Sequence, residues 1–156
     1  MMNYKVENIA KHIISYSIDN LNPVSNLKLQ KLLYYVQAAF LVEKDKPAFD
    51  APIMAWKYGP VVEDIYYEYR NYVNADILTS EDIDEVFAEE DECLINKVVD
   101  SYKKYSGVAL IQKTHRENPW KKFYEKDNIY DAKEIDQKTI RNYYAENKAS
   151  IYGVGQ

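Results

Sequence analysis

Apolar positions between Leu27 and Val42 recur with the period of an α-helix. One face carries Leu29, Leu32, Leu33, Val36 and Phe40, at the spacing i, i+3, i+4, i+7 and i+11. Further apolar residues cover much of the remaining circumference, and a helix of that kind cannot lie on a surface. Ser25 or Asn26 is placed to accept a hydrogen bond from the first turn. The pattern therefore predicts a buried helix at the centre of the core.

Helical periodicity continues along most of the chain. Amphipathic patterns predict helices over residues 4–20, 61–72, 92–105, 108–115 and 120–126, and from Asp136 to about residue 144 or 146. Thr79 followed by Asp82 is a capping pattern that predicts a short acidic helix.

Residues 48–58 break the helical pattern. Pro52, Pro60 and loosely alternating large side chains over residues 48–60 predict a short β-ribbon near residues 48–58, and Pro60 suits the first turn of the next helix. The predicted fold class is therefore mainly α: a compact helical bundle around a buried central helix, with one short ribbon.

Length and composition limit the class of protein. A chain of 156 residues favours one domain, which we place at residues 1–150, followed by a loose tail at residues 151–156. The single cysteine, Cys93, excludes an intrachain disulfide, and no apolar run reaches the length of a membrane span. We expect a cytoplasmic protein that does not enter a membrane.

Charge and tyrosine content bear on possible partners. The net charge of −5 argues against general affinity for nucleic acid, although a basic and aromatic series runs from Lys103 to Lys126. Nine acids and no base lie between Asp76 and Glu92, which is typical of a solvated connector or of an acidic surface. The sixteen tyrosines indicate either a surface that binds another protein or rings at the edge of the core.

Motifs for catalysis or metal binding are not found in the sequence. Cys93 and the distant histidines His12 and His115 have no metal-ligand spacing, and no nucleophile elbow or phosphate-binding glycine loop occurs. We therefore predict no catalytic residue, metal or cofactor. Carboxylate pairs with shifted pKa values leave no sequence signature, so an enzyme that uses them stays an open alternative.

Aromatic residues near turns form the candidate site. Trp56 and Tyr58 precede the Gly59-Pro60 step, Tyr66 follows it, and His115 and Trp120 flank a second proline. They are either core aromatics, with His115 bonded to a backbone carbonyl, or a rigid surface for a protein partner, where Trp and Tyr often dominate the binding energy. We predict these five as partner-binding residues.

Three blocks of sequence carry a family resemblance. They are Ser25–Gln37, the segment from Phe49 to Tyr66 that contains Ala55-Trp56-x-Tyr58-Gly59-Pro60, and Thr114-His115 with Pro119-Trp120. With these blocks the sequence resembles the Panacea-domain family, the SocA-like antitoxins that are often phage-associated. The resemblance implies a mostly helical fold and an antitoxin that binds and neutralises a cognate toxin protein.

The resemblance also leaves open an adaptor role, in which the bound toxin is delivered to an ATP-dependent protease. We predict direct protein binding without chemistry of its own, and the oligomeric state is left open. The alternative is a phage-encoded inhibitor of a host enzyme or nuclease that acts through the acidic segment between Asp76 and Glu92.

Overall fold

One helix, Asn26–Glu43, occupies the centre of the protein and contacts most of the other elements. The structure is a computed structural model and describes residues 3–127 and 131–153. Eight α-helices and one two-stranded sheet occur in those residues. In chain order they are α1 (Val6–Asp19), α2 (Asn26–Glu43), β1 (Met54–Trp56), β2 (Gly59–Val61), α3 (Glu63–Tyr69), α4 (Glu89–Ser101), α5 (Gly107–Arg116), α6 (Asn118–Phe123), α7 (Gln137–Glu146) and α8 (Lys148–Ile151).

The predicted helical bundle around a buried central helix is confirmed. α2 packs against α1, α3, α4, α5, α7, α8 and β2. Leu32, Val36 and Phe40 have no exposed surface, and burying each such side chain contributes roughly 2 kcal/mol. The hydroxyl of Ser25 accepts the N–H of Lys28 at 3.2 Å and begins the helix as predicted.

Polar side chains of α2 are buried as well, and they bind the backbone of neighbouring segments. Gln37 Oε1 accepts the N–H of Ala48 at 2.8 Å, and Gln37 Nε2 donates to the carbonyl of Phe49 at 2.8 Å. Gln30 Oε1 accepts the N–H of Val62 at 2.9 Å. Because an unpaired buried backbone group costs free energy, these amides fix the chain on both sides of the hairpin.

The predicted β-ribbon is an antiparallel hairpin whose second strand lies just beyond residues 48–58. Met54 pairs with Val61, and Trp56 pairs with Gly59. Pro60 does not begin a helix as expected. It lies in β2 opposite Ala55, and α3 starts three residues later. Pairing across the hairpin, which a local pattern does not show, decides its conformation.

Both edges of the hairpin are covered. The N–H of Ala55 donates to the carbonyl of Lys133 at 2.9 Å, and the N–H of Ile135 donates to the carbonyl of Ile53 at 2.8 Å. On the side of β2, Lys31 Nζ lies 3.3 Å from the carbonyl of Pro60. The hairpin therefore offers little free backbone for another strand.

The acidic helix predicted after Thr79 does not form, because α4 begins only at Glu89. The intervening residues run along α1 instead. Asn8 Nδ2 donates to the carboxylates of Asp84 and Glu85, each at 2.8 Å. Tertiary hydrogen bonds thus replace a local helix in this segment.

The C-terminal part closes the bundle. The side chain of Asp136 accepts the N–H of Thr139 at 2.7 Å and caps α7 as predicted. Ile151 is fully buried, and the hydroxyl of Tyr105 donates to the carbonyl of Gly153 at 2.6 Å. Packed structure thus continues past residue 150, while residues 154–156 of the expected tail lie outside the described residues. The single domain over residues 1–150 stays a prediction.

A buried ion pair that sequence analysis did not identify joins four helices, α2, α5, α7 and α8. Lys113 Nζ lies 2.7 Å from Glu117 Oε2, and both side chains are almost inaccessible. Glu117 Oε1 accepts the hydroxyls of Tyr35 and Tyr144, each at 2.6 Å, and Lys113 Nζ donates to the carbonyl of Ser150 at 2.6 Å. Burial lowers the pKa of Lys113, and the Glu117 carboxylate opposes that shift. Such a pair is tolerated inside a protein when its remaining polar atoms are also bonded.

Glu117→Gln leaves the Lys113 ammonium buried without a counter-ion. We expect the free energy of unfolding at pH 7 to fall by about 3 kcal/mol, measured by urea denaturation. The double variant Lys113→Met with Glu117→Gln removes both charges and keeps an acceptor for the tyrosines, so we expect it to recover a large part of the loss. Lys113→Met alone completes the comparison. A loss in the double variant equal to the sum of the losses in the two single variants would contradict this account.

Candidate functional site

A groove of about 800 Å³ opens beside the hairpin. Its aromatic lining consists of Trp56, Tyr58, Tyr66, Tyr67 and Tyr124. Leu27 of α2 and Ile111 of α5 add apolar surface. Three separate parts of the chain, the hairpin, α3 and the end of α6, thus bring aromatic rings to one concave surface, which is common in binding sites.

The rings at the hairpin side of the groove hold one another. The ring centroid of Trp56 lies 4.9 Å from that of Tyr66, with the planes at 67°, and 6.2 Å from that of Tyr67. Trp56 Nε1 donates to Glu63 Oε2 at 3.0 Å. Edge-to-face packing and this hydrogen bond fix the rings before any partner arrives, which lowers the entropy lost on binding.

A second aromatic stack holds the hairpin in place. The ring centroid of Trp120 lies 3.8 Å from that of His115 and 4.5 Å from that of Tyr124, and the ring planes are nearly parallel. Trp120 Nε1 donates to the carbonyl of Trp56 at 2.8 Å. Burial lowers the pKa of His115, while a backbone contact with Lys57 acts in the opposite direction. The stack therefore holds β1 in position through the indole of Trp120.

The five predicted residues divide into two groups. Tyr58 is 57% exposed, Trp56 and Tyr66 are half-buried, and all three line the groove. Trp120 is buried, and with His115 it lies outside the groove lining. The structure brings the five into one neighbourhood, and which of them contact a partner stays a prediction.

Glu63, Tyr67 and Tyr124 of this groove are among the residues that sequence analysis did not place in the candidate site. Tyr67 and Glu63 lie four residues apart on α3, and Tyr124 follows Trp120 by four residues. The helical i, i+4 spacing was the available signal, since it puts side chains on one face.

Two groups of tyrosines differ in the hydrogen bonding of their hydroxyls. Tyr34, Tyr35, Tyr102 and Tyr144 are buried, and their hydroxyls are bonded inside the bundle. The hydroxyls of Tyr58, Tyr66 and Tyr67 make no hydrogen bond to any residue that the structure describes. A fixed ring with an available hydroxyl is a frequent feature of protein interfaces. Core and surface both account for the high tyrosine content.

Lys31 lies under the turn of the hairpin. Its side chain is fully buried, and no carboxylate among the described residues pairs with it. Burial lowers the pKa of Lys31 to about 7. A Cβ at Gly59 would lie 2.5 Å from Lys31 Cε and 3.0 Å from Thr114 Oγ1, and Gly59 has φ +108°. Only glycine suits this position, both by space and by conformation.

Two other predicted surfaces lose members to contacts within the chain. Lys113 and Trp120 of the basic and aromatic series are buried, so the series is not a continuous nucleic-acid surface. Four acids of the segment between Asp76 and Glu92 bind partners within the chain. These acids are Glu81, Asp84, Glu85 and Asp91, and their partners include Lys11, Lys5, Asn8 and Tyr4. The hypothesis of an acidic mimic gains no specific support from this arrangement.

Other kinds of site were searched for in residues 3–127 and 131–153. No group of three or more His, Cys, Asp or Glu side chains there is arranged to hold a metal ion. Within the same residues, none of the helices combines the length and the apolar character needed to cross a membrane.

Comparison with known proteins identifies the family to which the chain belongs. The chain matches the family model described as "Antitoxin SocA-like, Panacea domain" over residues 29–121, which is more than half of its length. A curated relative, Antitoxin SocA of Caulobacter vibrioides (strain NA1000 / CB15N), is 50% identical over 44 residues. That match covers 28% of this chain and 23% of the relative, so it spans less than a quarter of the relative's length. No solved structure matches the chain.

Gly59→Ala tests the close approach at the hairpin turn. We expect the free energy of unfolding to fall by about 2–4 kcal/mol, because the new methyl meets Lys31 and the backbone conformation becomes strained. Gly107→Ala is the matched control, since Gly107 has an ordinary φ and its nearest contact is the side chain of Leu27 at 3.2 Å. Equal losses in the two variants, measured by urea denaturation, would refute this explanation.

Lys31→Met tests the buried amine. The pKa of Lys31 falls from 10.5 to about 7 on folding, so between these pH values the unfolded chain holds a proton that the folded chain has lost. The wild-type protein therefore gains stability from this group as pH rises from 7 to 10.5 and loses it as pH falls. We expect the stability of Lys31→Met relative to wild type to be highest at pH 7 and to decline toward pH 10.

Urea denaturation at several pH values measures this difference, in which the contributions of the other titrating groups cancel. Lys104→Met, at an exposed lysine, is the control variant. A difference between Lys31→Met and wild type that stays constant across the range would count against the lowered pKa.

Proposed function

Because the chain belongs to the antitoxin SocA-like, Panacea-domain family, we propose that it is an antitoxin that neutralises a cognate toxin by direct protein binding. The proposed contact surface is the aromatic groove beside the hairpin. The observation that carries this choice is the set of interlocked rings in the groove, whose hydroxyls have no partner among the described residues.

The proposed mechanism is occlusion of the toxin by a rigid surface. Trp56, Tyr58 and Tyr66 contact the toxin. Trp120, stacked on His115, positions the hairpin through its hydrogen bond to the carbonyl of Trp56. Large rings that are already fixed bury much apolar area while losing few rotamers, so a small number of them can supply most of the affinity. The toxin then loses access to its own target for as long as it remains bound.

Recognition through side chains fits the groove better than addition of a strand. β1 is paired with the segment that contains Lys133 and Ile135, and β2 faces the buried side chains of Gln30 and Lys31. A partner strand would find few free backbone groups at either edge. Specificity for the toxin therefore rests on the side chains that line the groove.

An adaptor role is a more specific version of the same proposal. In it, the toxin held in the groove is delivered to an ATP-dependent protease instead of being blocked in place. The half-life of the toxin in cells with and without the protease separates the two forms, since occlusion alone leaves the half-life unchanged or longer.

Tyr58→Ala tests the groove, with the product of the adjacent reading frame as the toxin. We expect wild-type protein to restore growth on co-expression, and Tyr58→Ala to bind the toxin about thirtyfold more weakly and restore growth poorly. Because Tyr58 is 57% exposed, the melting temperature should stay near that of wild type.

Val86→Ala is the control, because Val86 is 92% exposed and lies outside the groove lining. Failure of the wild-type protein to bind and neutralise the toxin would refute the proposed function. Full activity of Tyr58→Ala would remove Tyr58 from the contact surface.

A further inference from the structure

Glu63 places a carboxylate among the aromatic rings of the groove. Its Oε2 atom accepts one hydrogen bond, from Trp56 Nε1 at 3.0 Å. No basic side chain in the described part of the chain forms an ion pair with Glu63 within 4.0 Å. A carboxylate can accept about four hydrogen bonds, so this one retains acceptor capacity that faces the groove.

Glu63 is the acid of the groove lining without an ion pair among the described residues. The other acid of the lining, Glu125, pairs with Lys133 at 3.6 Å. The lining also has two bases, Lys57 and Arg70, and Lys57 Nζ lies 5.4 Å from the ring centroid of Tyr58. The guanidinium of Arg70 lies over the ring of Tyr67, 5.5 Å from the centroid, so this base is directed to a ring and not to Glu63. The same contact shows that a cation can pack on a ring of the groove. Negative charge beside aromatic faces favours a cationic partner group.

Apolar surface lies in the same groove. Leu27 and Ile111 are half-buried, and Val73, at the end of the turn after α3, is 72% exposed. Such side chains recognise aliphatic or aromatic groups and offer nothing to a lone small cation. The groove therefore combines two kinds of surface, one for a positive charge and one for an apolar side chain.

We propose that the groove binds a polypeptide segment that carries an arginine or lysine close to a large apolar residue. The cation pairs with Glu63 and packs on the ring of Trp56, and the apolar residue contacts Leu27 and Ile111. The free tyrosine hydroxyls bind the backbone of the segment. This inference rests on the proposed function, since the segment belongs to the toxin that the groove is proposed to neutralise.

The test uses random peptides displayed on phage, selected on the immobilised full-length chain. We expect the selected sequences to be enriched in Arg or Lys near Trp, Phe, Leu or Ile. The best sequence is then made as a synthetic peptide, and its affinity is measured by fluorescence polarisation against wild-type protein, Glu63→Gln and Glu68→Gln.

Glu63→Gln removes the charge but keeps an acceptor for Trp56 Nε1, so we expect binding to weaken about tenfold with little change in melting temperature. Glu68→Gln is the matched control, since Glu68 is exposed on the same helix and does not line the groove. Replacing the basic residue of the peptide by glutamine should weaken binding to wild type but not further weaken binding to Glu63→Gln, as a double-mutant cycle requires.

Selection of acidic sequences, no enrichment, or equal affinity of wild-type protein and Glu63→Gln would overturn the inference. The proposed function is tested separately by growth rescue with the toxin. Rescue without peptide enrichment rejects only the basic and apolar segment, whereas peptide binding without rescue rejects only the antitoxin role.

Discussion

A helix with no exposed side obliges the rest of the protein to satisfy its polar groups internally. α2 meets this constraint by using its own polar side chains to hold the neighbouring chain. Gln37 binds the backbone before the hairpin, and Gln30 binds the backbone after it. Irregular segments that could not pair in regular structure are thereby kept against the core without unpaired backbone groups. The position of the hairpin, and with it the groove, follows from these contacts.

The hairpin is held from several directions at once. α2 holds it through Lys31, α6 holds it through the indole of Trp120, and the chain before α7 pairs with β1. A turn fixed in this way presents Trp56 and Tyr58 in a defined arrangement, which is what a binding surface needs if it is to lose little entropy on association. The family to which the chain belongs and the shape of this surface support the same proposal, namely that the protein acts by binding another protein.

The interior contains several polar and charged side chains. The ion pair of Lys113 and Glu117 is bonded to tyrosine hydroxyls and to the carbonyl of Ser150 in the last helix. A buried pair adds little net stability, because removing two charges from water is costly. Its hydrogen bonds, however, connect α2, α5, α7 and α8 at one point in the interior. Tyrosine serves in this network because its ring packs as an apolar group while its hydroxyl completes the hydrogen bonds.

Sequence alone determined the features that depend on neighbours along the chain. The all-round apolar pattern identified α2, and Ser25 and Asp136 marked helix starts because capping is a contact between residues three apart. The Gly59-Pro60 step and the aromatic residues near it could also be identified, because they are neighbours along the chain. Tertiary structure decided the features that depend on residues far apart in sequence. Pairing with Ala55 placed Pro60 in a strand, and hydrogen bonds from Asn8 held residues of the acidic segment that a local pattern predicted to be helical. The hydrogen bond from Trp120 to the carbonyl of Trp56 joins residues 64 positions apart, and no local periodicity encodes a contact of that length.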